Sequence, residues 1–558
     1  DLRTDPLYKH AWHLDNTGQT NFATNAGTAE VDLNVDVDIA SGVDGSGIYV
    51  SVVDGGLEIA HEDLAPNIIA GRSWNFLNNS TDPTNTSSTG DHGTSVAGII
   101  AADAYNKIGS RGVAPDVGLI GSNFLKSTYS SNQALSLGYG NHSGYSVNLN
   151  NFVDIFNLSY GVGISKTLKE NDTWGYGGRR ASSYKKTYLS SGVANLRDSK
   201  GAIYVKSSGN DFNGRREIDG DRATFYCGPG KARSDNMPCG DTALDSSHSL
   251  PYMIITGSLR ADDVKSSYST PGASLWIAGF GGEYGQNYPA IMSTDQSSCL
   301  KGYVRVGAGY SNAFNNQGTH PENPYCNYTS SMNGTSAAAP TVSGVIALML
   351  DANPALTWRD VKHILASTSV QVDPTRAKVL NDITQYSWII NSANYKHHPW
   401  YGFGRINAAA AIAAAKAYTA GSLGTFISTP KATYVKDADD ETLVFDLDSN
   451  TTNAWTFDQS TPDGAAGIIE FITLSFELSH SIPEDLGITL TSPAGTTVRV
   501  LMPYTGATDN PSDSSFDIGV SGLYGESMDG TWTVSLTDYS PDSVGGTMKT
   551  FSIKLYGH

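Results

Sequence analysis

The sequence lacks an apolar run close to the roughly 20 residues that a membrane-spanning helix needs. It therefore predicts no membrane-spanning segment. Its first residues, DLRTDPLYKH, also lack the basic start and the apolar stretch of a secretory signal peptide. We interpret the chain as a mature form from which any signal or pro-segment has been removed.

Basic side chains are scarce relative to acidic ones. The 558 residues include 36 Lys and Arg against 55 Asp and Glu, which gives a formal net charge of −19. An acidic surface repels phosphate backbones, so the composition excludes a nucleic-acid partner and favours cations and basic peptides. Apolar residues make up 39% and aromatic residues 10% of the chain, enough for a large core rather than a disordered chain.

Cysteine is rare, and none of the cysteines forms a CxxC pair, which argues against a zinc site. The four are Cys227, Cys239, Cys299 and Cys326. Four cysteines allow three pairings, and the short intervals favour Cys227 with Cys239 and Cys299 with Cys326. The alternative is four free thiols in a cytosolic protein. The acidic composition, rich in Ser, Thr, Asn and Gly, is more typical of an exported protein with disulfides.

Residues 1–420 alternate between strand-like apolar runs that end in small or polar residues and helix-like stretches. The strand-like runs are 47–56, 117–125, 153–161 and 202–210, and the helix-like stretches are 93–105, 335–352 and 357–368. Continuous apolar runs of this length are typical of buried parallel strands. The alternation predicts an α/β domain with a doubly wound, mostly parallel sheet and with its chemistry at the carboxyl ends of the strands.

The pattern changes after an Ala-rich helix-like stretch at 406–421. Short alternating runs separated by Pro, Gly, Asp and Ser follow, and they predict an all-β sandwich or jelly roll. We place the boundary near residue 423, between an α/β domain of residues 1–423 and a β domain of residues 424–558. Two stretches of the first domain, 210–249 and 298–331, resemble long insertions that the two cysteine pairs would staple.

Three segments carry the residue types of a site with a serine nucleophile. Asp54 ends a strand-like run in VVDGG, His92 precedes a helix of small residues in DHGTSVAG, and Ser336 begins a helix in NGTSAAAP. A serine hydroxyl needs a base within hydrogen-bond reach, and that base needs an orienting carboxylate. A helix N-terminus also stabilises negative charge that develops there. Taken singly, the alternatives are a turn aspartate, a capping or core-edge histidine and an N-cap serine.

Together, in the order Asp, His, Ser, the three motifs resemble the active-site signatures of the subtilase family. The resemblance implies a serine endopeptidase in which Asp54 orients His92, His92 acts as general base and acid, and Ser336 is the nucleophile. IYVKSSGN (203–210) resembles the strand that ends in the family's oxyanion-hole asparagine, which makes Asn210 the expected donor. The alternative for Asn210 is a turn residue.

Similarity to the kexin and furin branch of that family extends over nearly the whole chain, and the C-terminal β region resembles its P domain. NLSYG (157–161) resembles the family segment that pairs with an extended substrate, so we expect Ser159, Tyr160 and Gly161 to bind the peptide backbone. The branch cleaves after basic residues, and the resemblance places Asp245 on an acidic position of its specificity pocket. This predicts a preference for Lys or Arg. Because the segment after NLSYG lacks the branch's acidic cluster, broad subtilisin-type specificity is the alternative, with Asp245 as a solvated loop carboxylate.

A structural calcium site is also implied by the resemblance. Its ligands would be Asp5, Asp63 and Asn106, and carboxylate, amide and carbonyl oxygens suit calcium. The alternative is a pair of surface aspartates and a turn asparagine. The second calcium of the family, near the specificity pocket, is not expected here.

The sequence thus predicts a secreted, monomeric serine endopeptidase that acts on protein or peptide substrates. A pro-segment or a folding partner is an additional candidate partner. One rival is an inactive subtilase fold that serves as a secreted binding protein, but all three motif residues and Asn210 are present. A second rival is an amidase or esterase on non-peptide substrates, against which the NLSYG segment argues.

Overall fold

The computed structural model describes most of the chain. The described residues are 5–35, 39, 41–127, 129–140, 149, 152–162, 180–213, 215–219, 222–226, 236–380, 382–435, 452–461, 467–480, 485–505, 514–539 and 546–558. Cys227 and most of the segment that follows NLSYG lie outside these residues.

A parallel sheet of seven strands organises the first part of the chain, and the predicted doubly wound α/β fold is confirmed. The first nine strands are β1 Tyr49–Asp54, β2 Trp74–Asn75, β3 Gly118–Asn123, β4 Ile155–Leu158, β5 Ile203–Ser207, β6 Arg215–Asp219, β7 Arg222–Tyr226, β8 Met253–Leu259 and β9 Ile277–Phe280. The sheet order is β2-β3-β1-β4-β5-β8-β9, with every neighbouring pair parallel, while β6 and β7 form a separate hairpin. The connections diverge between β1 and β4, and such a switch point opens a crevice at the carboxyl ends of the strands.

Six α-helices lie in the described part of the chain. They are α1 His92–Ala101, α2 Ser130–Ser136, α3 Ser183–Asn195, α4 Thr335–Ala352, α5 Trp358–Thr368 and α6 Ala408–Ala417. Helix α4 is buried from Thr335 to Leu350. It is the one described helix that is long and apolar enough to cross a membrane, but 83% of it is buried inside the protein, as in the core helix of a globular fold.

Small residues let α1 approach its neighbours, as its sequence predicts. A Cβ atom on Gly98 would lie 2.3 Å from the Thr294 hydroxyl, and one on Gly93 would lie 1.8 Å from the Gly56 carbonyl oxygen. Side chains at these positions would push α1 away from the sheet. The glycines therefore fix the position of His92, the first residue of the helix.

Three short antiparallel pairs complete the first part of the chain. They are β10 Ile291–Thr294 with β11 Tyr328–Met332, β12 Lys378–Leu380 with β13 Ile383–Tyr386, and β14 Ile389–Ile390 with β15 Lys396–His397. The predicted disulfide between Cys299 and Cys326 closes the insertion between β10 and β11. Cys239 is disulfide-bonded as well, and its predicted partner, Cys227, lies outside the described residues.

The rest of the chain forms two antiparallel sheets. Its strands are β16 Ile427–Ser428, β17 Ala432–Val435, β18 Thr452–Gln459, β19 Ile469–His480, β20 Leu486–Thr491, β21 Thr497–Leu501, β22 Ser514–Val520, β23 Gly530–Asp538 and β24 Gly546–Gly557. One sheet has the order β16-β24-β19-β22 with β17 also on β24, and the other has the order β18-β23-β20-β21. Alternate apolar residues of both sheets share one core, as in a β sandwich. The boundary that we place near residue 423 falls between α6 and β16.

Polar contacts join the sandwich to the first part of the chain. Arg359 on α5 donates to Glu470 on β19 (Nε to Oε2, 2.9 Å), and both side chains are only 8% exposed. The imidazole Nδ1 of His558, directly after β24, lies 2.8 Å from Oε1 of the same carboxylate. Asn391 also donates to the carbonyl of Tyr524 (2.8 Å). The two parts are therefore packed with buried, paired charges between them.

Candidate active site

Asp54 and His92 meet at the carboxyl edge of the sheet. Asp54 is the last residue of β1 and only 1% exposed, and its Oδ2 lies 2.8 Å from Nδ1 of His92. Its Oδ1 accepts the Gly55 N–H at 2.6 Å. A carboxylate can only accept, so the Nδ1 atom of His92 carries the proton and the Nε2 atom remains as a base.

The electrostatics of this pair involve a third carboxyl group. Burial lowers the pKa of His92, but the charge and hydrogen bond of Asp54 and the charge of Asp91 outweigh it, so that the pKa is raised above its ordinary value. Asp91 is fully buried. Its burial, followed by the charge of Asp54, raises the pKa of Asp91 to about 7. Asp91 has no role in the sequence prediction, although its place beside His92 was a signal.

Ser336 lies in the first turn of α4, after Gly334, whose φ of +95° favours glycine. The Ser336 hydroxyl donates to the carbonyl of Ser159 at 3.0 Å, and the Ser159 hydroxyl donates to the carbonyl of Ser336 at 2.8 Å. Among the hydrogen bonds of the described residues, none joins Ser336 to His92. Contacts between nucleophile and base often tighten only when substrate binds.

Asn210 lies three residues beyond β5 and is held by the helix that carries Ser336. Its Oδ1 accepts hydrogen bonds from the N–H (2.9 Å) and the hydroxyl (3.0 Å) of Thr335. With the oxygen engaged, the Nδ2 group is the end of the amide that can donate to a ligand. The N–H of Ser336, in the first turn of α4, has no carbonyl partner within its own helix. Both donors therefore lie at the positive end of the α4 dipole.

The predicted substrate segment, Ser159 to Gly161, directly follows β4. Because β1 and β4 are neighbours, this segment emerges at the same edge as Asp54, at the switch point of the sheet. The two hydrogen bonds between Ser159 and Ser336 connect it to α4. The structure thus brings together the five residues Asp54, His92, Ser159, Asn210 and Ser336, which are far apart in the sequence.

Asp245 lies next to Gly161, at the end of the predicted substrate segment, and its carboxylate is already paired. Its Oδ2 is 3.1 Å from the Nζ of Lys206, and the two side chains are only 7% and 2% exposed. Burial opposes ionisation, but the charge of Lys206, followed by weaker contributions that include Lys185, holds the pKa of Asp245 well below its ordinary value. Asp245 is therefore not a solvated loop carboxylate, which was the alternative. Sequence reasoning missed Lys206, although a lysine inside an apolar strand-like run was a signal.

A cavity of about 270 Å³ lies beside this ion pair. Its walls come from β4 and the segment after it, from α2 and α3, and from the region around β8. The polar and charged side chains in the lining are Gln133, Tyr160, Lys185, Tyr188, Lys206, Asp245 and Ser247.

The predicted calcium ligands are close to one another. Asn106 donates to Oδ1 of Asp63 at 2.8 Å, and the carboxylate of Asp5 accepts the backbone N–H groups of Tyr105 (2.9 Å) and Lys107 (3.0 Å). Oδ2 of Asp63 is buried without a hydrogen bond in the described part of the chain. Burial, with the charges of Asp5 and Asp103, raises the pKa of Asp63 to about 8.

A cation would relieve this concentration of carboxylates, and carboxylate and amide oxygens suit calcium. The Asn106 amide presents its nitrogen to Asp63, while its oxygen accepts the Ile108 N–H, so this amide would have to turn over to become a ligand. Within the described residues, no group of three or more His, Cys, Asp or Glu side chains is arranged to hold a metal ion by itself. A calcium ion here would therefore need amide or backbone oxygens as additional ligands.

Comparison with known protein families identifies both parts of the chain. The model of the subtilase family matches residues 45–396, a range that contains Asp54, His92 and Ser336. The chain belongs to the subtilase family. The model of the proprotein convertase P-domain matches residues 469–555, within the β sandwich.

Individual subtilases match most of the chain. An extracellular serine protease of Aeromonas sobria is 32% identical over 562 residues, which cover 96% of this chain and 84% of the relative. Kexin of Saccharomyces cerevisiae is 28% identical over 95% of this chain and 54% of its own length. These relatives identify a subtilisin-like serine endopeptidase with kexin-related homologues.

Solved structures support the same assignment. The crystal structure of the Aeromonas sobria serine protease matches with a TM-score of 0.86 and 28% identity, covering 100% of this chain and 96% of the other. The structure of that protease in complex with a chaperone matches with a TM-score of 0.85 and 29% identity over 100% of this chain and 95% of the other. The similarity therefore includes both parts of the fold.

Proposed function

We propose that this subtilase hydrolyses peptide bonds through an acyl-enzyme formed on Ser336. Its hydroxyl attacks the substrate carbonyl, and Nε2 of His92 takes the proton and later gives it to the leaving amine. Asp54 stays ionised and holds the ring. The observation that carries this proposal is the 2.8 Å contact between Asp54 and His92 at the edge of the sheet where Ser336 also lies.

The negative charge that develops on the substrate oxygen needs donors in place before the reaction. We assign this role to the Nδ2 group of Asn210 and the backbone N–H of Ser336. Thr335 supports the assignment because it engages the opposite end of the Asn210 amide. Donors that are already oriented stabilise a tetrahedral intermediate without reorganisation.

We further propose that the backbone of Ser159 to Gly161 pairs with an extended substrate and that Lys or Arg is preferred before the scissile bond. Similarity to kexin and the net charge of −19 support a basic preference. The ion pair between Lys206 and Asp245 limits this preference, because the carboxylate that would attract a basic side chain is already paired with a lysine.

Calcium is proposed as a structural ion held by Asp5, Asp63 and Asn106. When bound there, it would supply positive charge that neutralises the buried carboxylates and fixes the loop before Gly112. The expected result is a thermal unfolding midpoint that falls on chelation in the wild type but not in Asp63→Asn. The Asp15→Asn variant, with its carboxyl outside this set, should respond to chelation like the wild type.

Secretion and assisted folding are further proposals. The relative from Aeromonas sobria is named as extracellular, and its solved complex contains a chaperone. A folding partner of similar kind would suit this chain, because the relative and this chain match over nearly all of their length. We propose a monomer as the active form.

Cleavage of a peptide library by the wild type and by Ser336→Ala tests the proposal. Ser367→Ala is a matched control on α5, because its hydroxyl donates to the carbonyl of Ile364 in the same helix. We expect cleavage by the wild type and by the control but not by Ser336→Ala. A folded wild type that cuts no peptide would instead favour the hypothesis that the protein is an inactive subtilase fold with a binding role.

A further inference from the structure

We propose that Lys206 is a specificity-determining residue: it is a built-in counterion of Asp245 that weakens the pocket's preference for Lys and Arg. This inference rests on the proposed peptidase function and deepens it. It concerns the choice between substrates, not the bond-breaking step.

The ion pair lies directly behind the segment that is proposed to bind substrate. A Cβ atom on Gly161 would be 3.4 Å from both Oδ2 of Asp245 and Nζ of Lys206. The Nζ group also donates to the carbonyl of Tyr160, so it is fixed beneath the same segment. Ser159, the first residue of the segment, contacts Ser336. The pair is therefore separated from the nucleophile by only a short stretch of chain.

The adjoining cavity gives a side chain room to approach the pair. Its volume is about 270 Å³, and both Lys206 and Asp245 line it together with Gly161. A residue bound with its backbone along Ser159 to Gly161 could extend its side chain into this space. A cationic side chain would then meet Lys206 as well as Asp245.

The charges around the cavity do not favour a second cation. Lys185 also lines it, and its Nζ lies 3.4 Å from the Ser246 hydroxyl. His248 contributes no positive charge near neutral pH, because burial lowers the pKa of its imidazole to about 4. Two lysines therefore lie near one carboxylate, and they offset much of its attraction for a basic side chain. The electrostatic attraction of Asp245 for a substrate Lys or Arg is reduced by the repulsion from Lys206 and Lys185.

Kinetics with matched peptides can test whether Lys206 weakens the preference for Lys and Arg. The readout is the ratio of kcat/KM for peptides with Lys or Arg before the scissile bond to kcat/KM for the same peptide with Gln. Lys206→Gln removes the charge but keeps a donor for Tyr160 and Asp245. We expect it to raise the ratio about tenfold or more, since Asp245 loses its nearest counterion while Lys185 and the Ser247 donors still favour its ionised form. Lys206→Arg keeps the charge and should leave the ratio near that of the wild type.

Asp245 supplies the second half of the test. The double variant Lys206→Gln/Asp245→Asn should lose the gain of Lys206→Gln. Asp245→Asn alone should lower the ratio below that of the wild type and should raise cleavage after Glu. If Lys206→Gln folds poorly, which its thermal unfolding midpoint would show, Asp245→Asn alone and Lys206→Arg still test the proposal.

The outcomes separate the two proposals. A wild type without any Ser336-dependent cleavage would overturn the proposed function. Ser336-dependent cleavage with the same Lys-to-Gln ratio in all folded variants would overturn the role of Lys206 and leave the peptidase intact. Equal losses for every substrate would mean that the pair only supports the fold, which also contradicts the inference.

Discussion

At the scale of single residues, the site depends on side chains that are oriented by hydrogen bonds to their non-reacting atoms. Asp54 fixes the ring of His92 through Nδ1, and Thr335 fixes the amide of Asn210 through Oδ1. In both cases the atom proposed to act on substrate, Nε2 or Nδ2, is the one opposite the fixed atom. Orientation of this kind costs no reorganisation during the reaction.

The role of Asn210 can be measured directly. Asn210→Asp keeps an oxygen for the Thr335 donors but replaces the Nδ2 donor with a second acceptor. We expect kcat to fall by about 100- to 1000-fold with little change in KM, since the lost interaction forms mainly in the transition state. Asn213→Ala, a nearby change at an exposed asparagine, should leave kcat unchanged. A KM effect without a kcat effect would contradict the assignment.

Asp91 should set the pH dependence of the reaction. Its charge helps to raise the pKa of His92, and only the neutral imidazole can act as a base. Asp91 keeps part of that charge near pH 7, the value to which burial raises its own pKa, so Asp91→Asn lowers the pKa of His92 and leaves more imidazole neutral just below pH 7. The acidic limb of kcat/KM should move to lower pH by roughly half a unit, whereas the exposed change Asp198→Asn should not move it. A shift to higher pH would refute this account.

At the scale of elements, close backbone approach sets the position of α1. Gly98→Ala would place a methyl group 2.3 Å from the Thr294 hydroxyl. We expect it to lower the free energy of unfolding by about 1–3 kcal/mol through overpacking, although alanine favours a helix. Chemical denaturation measures this, with Gly309→Ala as the control because no atom lies within 4 Å of a Cβ there. Equal stability of the two variants would show that α1 tolerates displacement.

Long apolar elements were predictable from the sequence, and short or polar ones were not. The run at 335–352 matches helix Thr335–Ala352, and the run at 202–210 contains strand Ile203–Ser207. Strands of two residues, such as Ile389–Ile390, are too short to show a period. A lysine inside an apolar run marks Lys206 as unusual, but the sequence pattern does not identify its partner Asp245, which lies 39 positions further along the chain.

At the scale of the whole molecule, the sandwich is held to the sheet domain by a buried ion pair. Removal of one partner leaves a buried charge uncompensated, so we expect Glu470→Gln to lower the free energy of unfolding by about 3 kcal/mol. Glu322→Gln is the control. Its ion pair with Lys9, which is 61% exposed, is of the surface kind that contributes less than about 1 kcal/mol, and Gln can still hydrogen-bond to His10, its second partner. Urea denaturation compares the two.

Removal of the whole sandwich is a more severe test of the same packing. Deletion of residues 424–558 would expose Arg359 and the apolar surface under the sandwich. We expect no soluble, active enzyme from this truncated chain, as judged by size-exclusion chromatography and peptide hydrolysis. A soluble truncated protein with full activity would contradict the packing role of the sandwich.

The central claim is that Ser336 is a nucleophile activated by His92, and covalent labelling tests it most directly. The folded protein would be treated with a serine-directed fluorophosphonate, digested and examined by mass spectrometry. We predict one added phosphonyl group on the peptide that contains Ser336, and no such group in His92→Ala. Labelling of another serine, or equal labelling of Ser336 in the wild type and in His92→Ala, would contradict it.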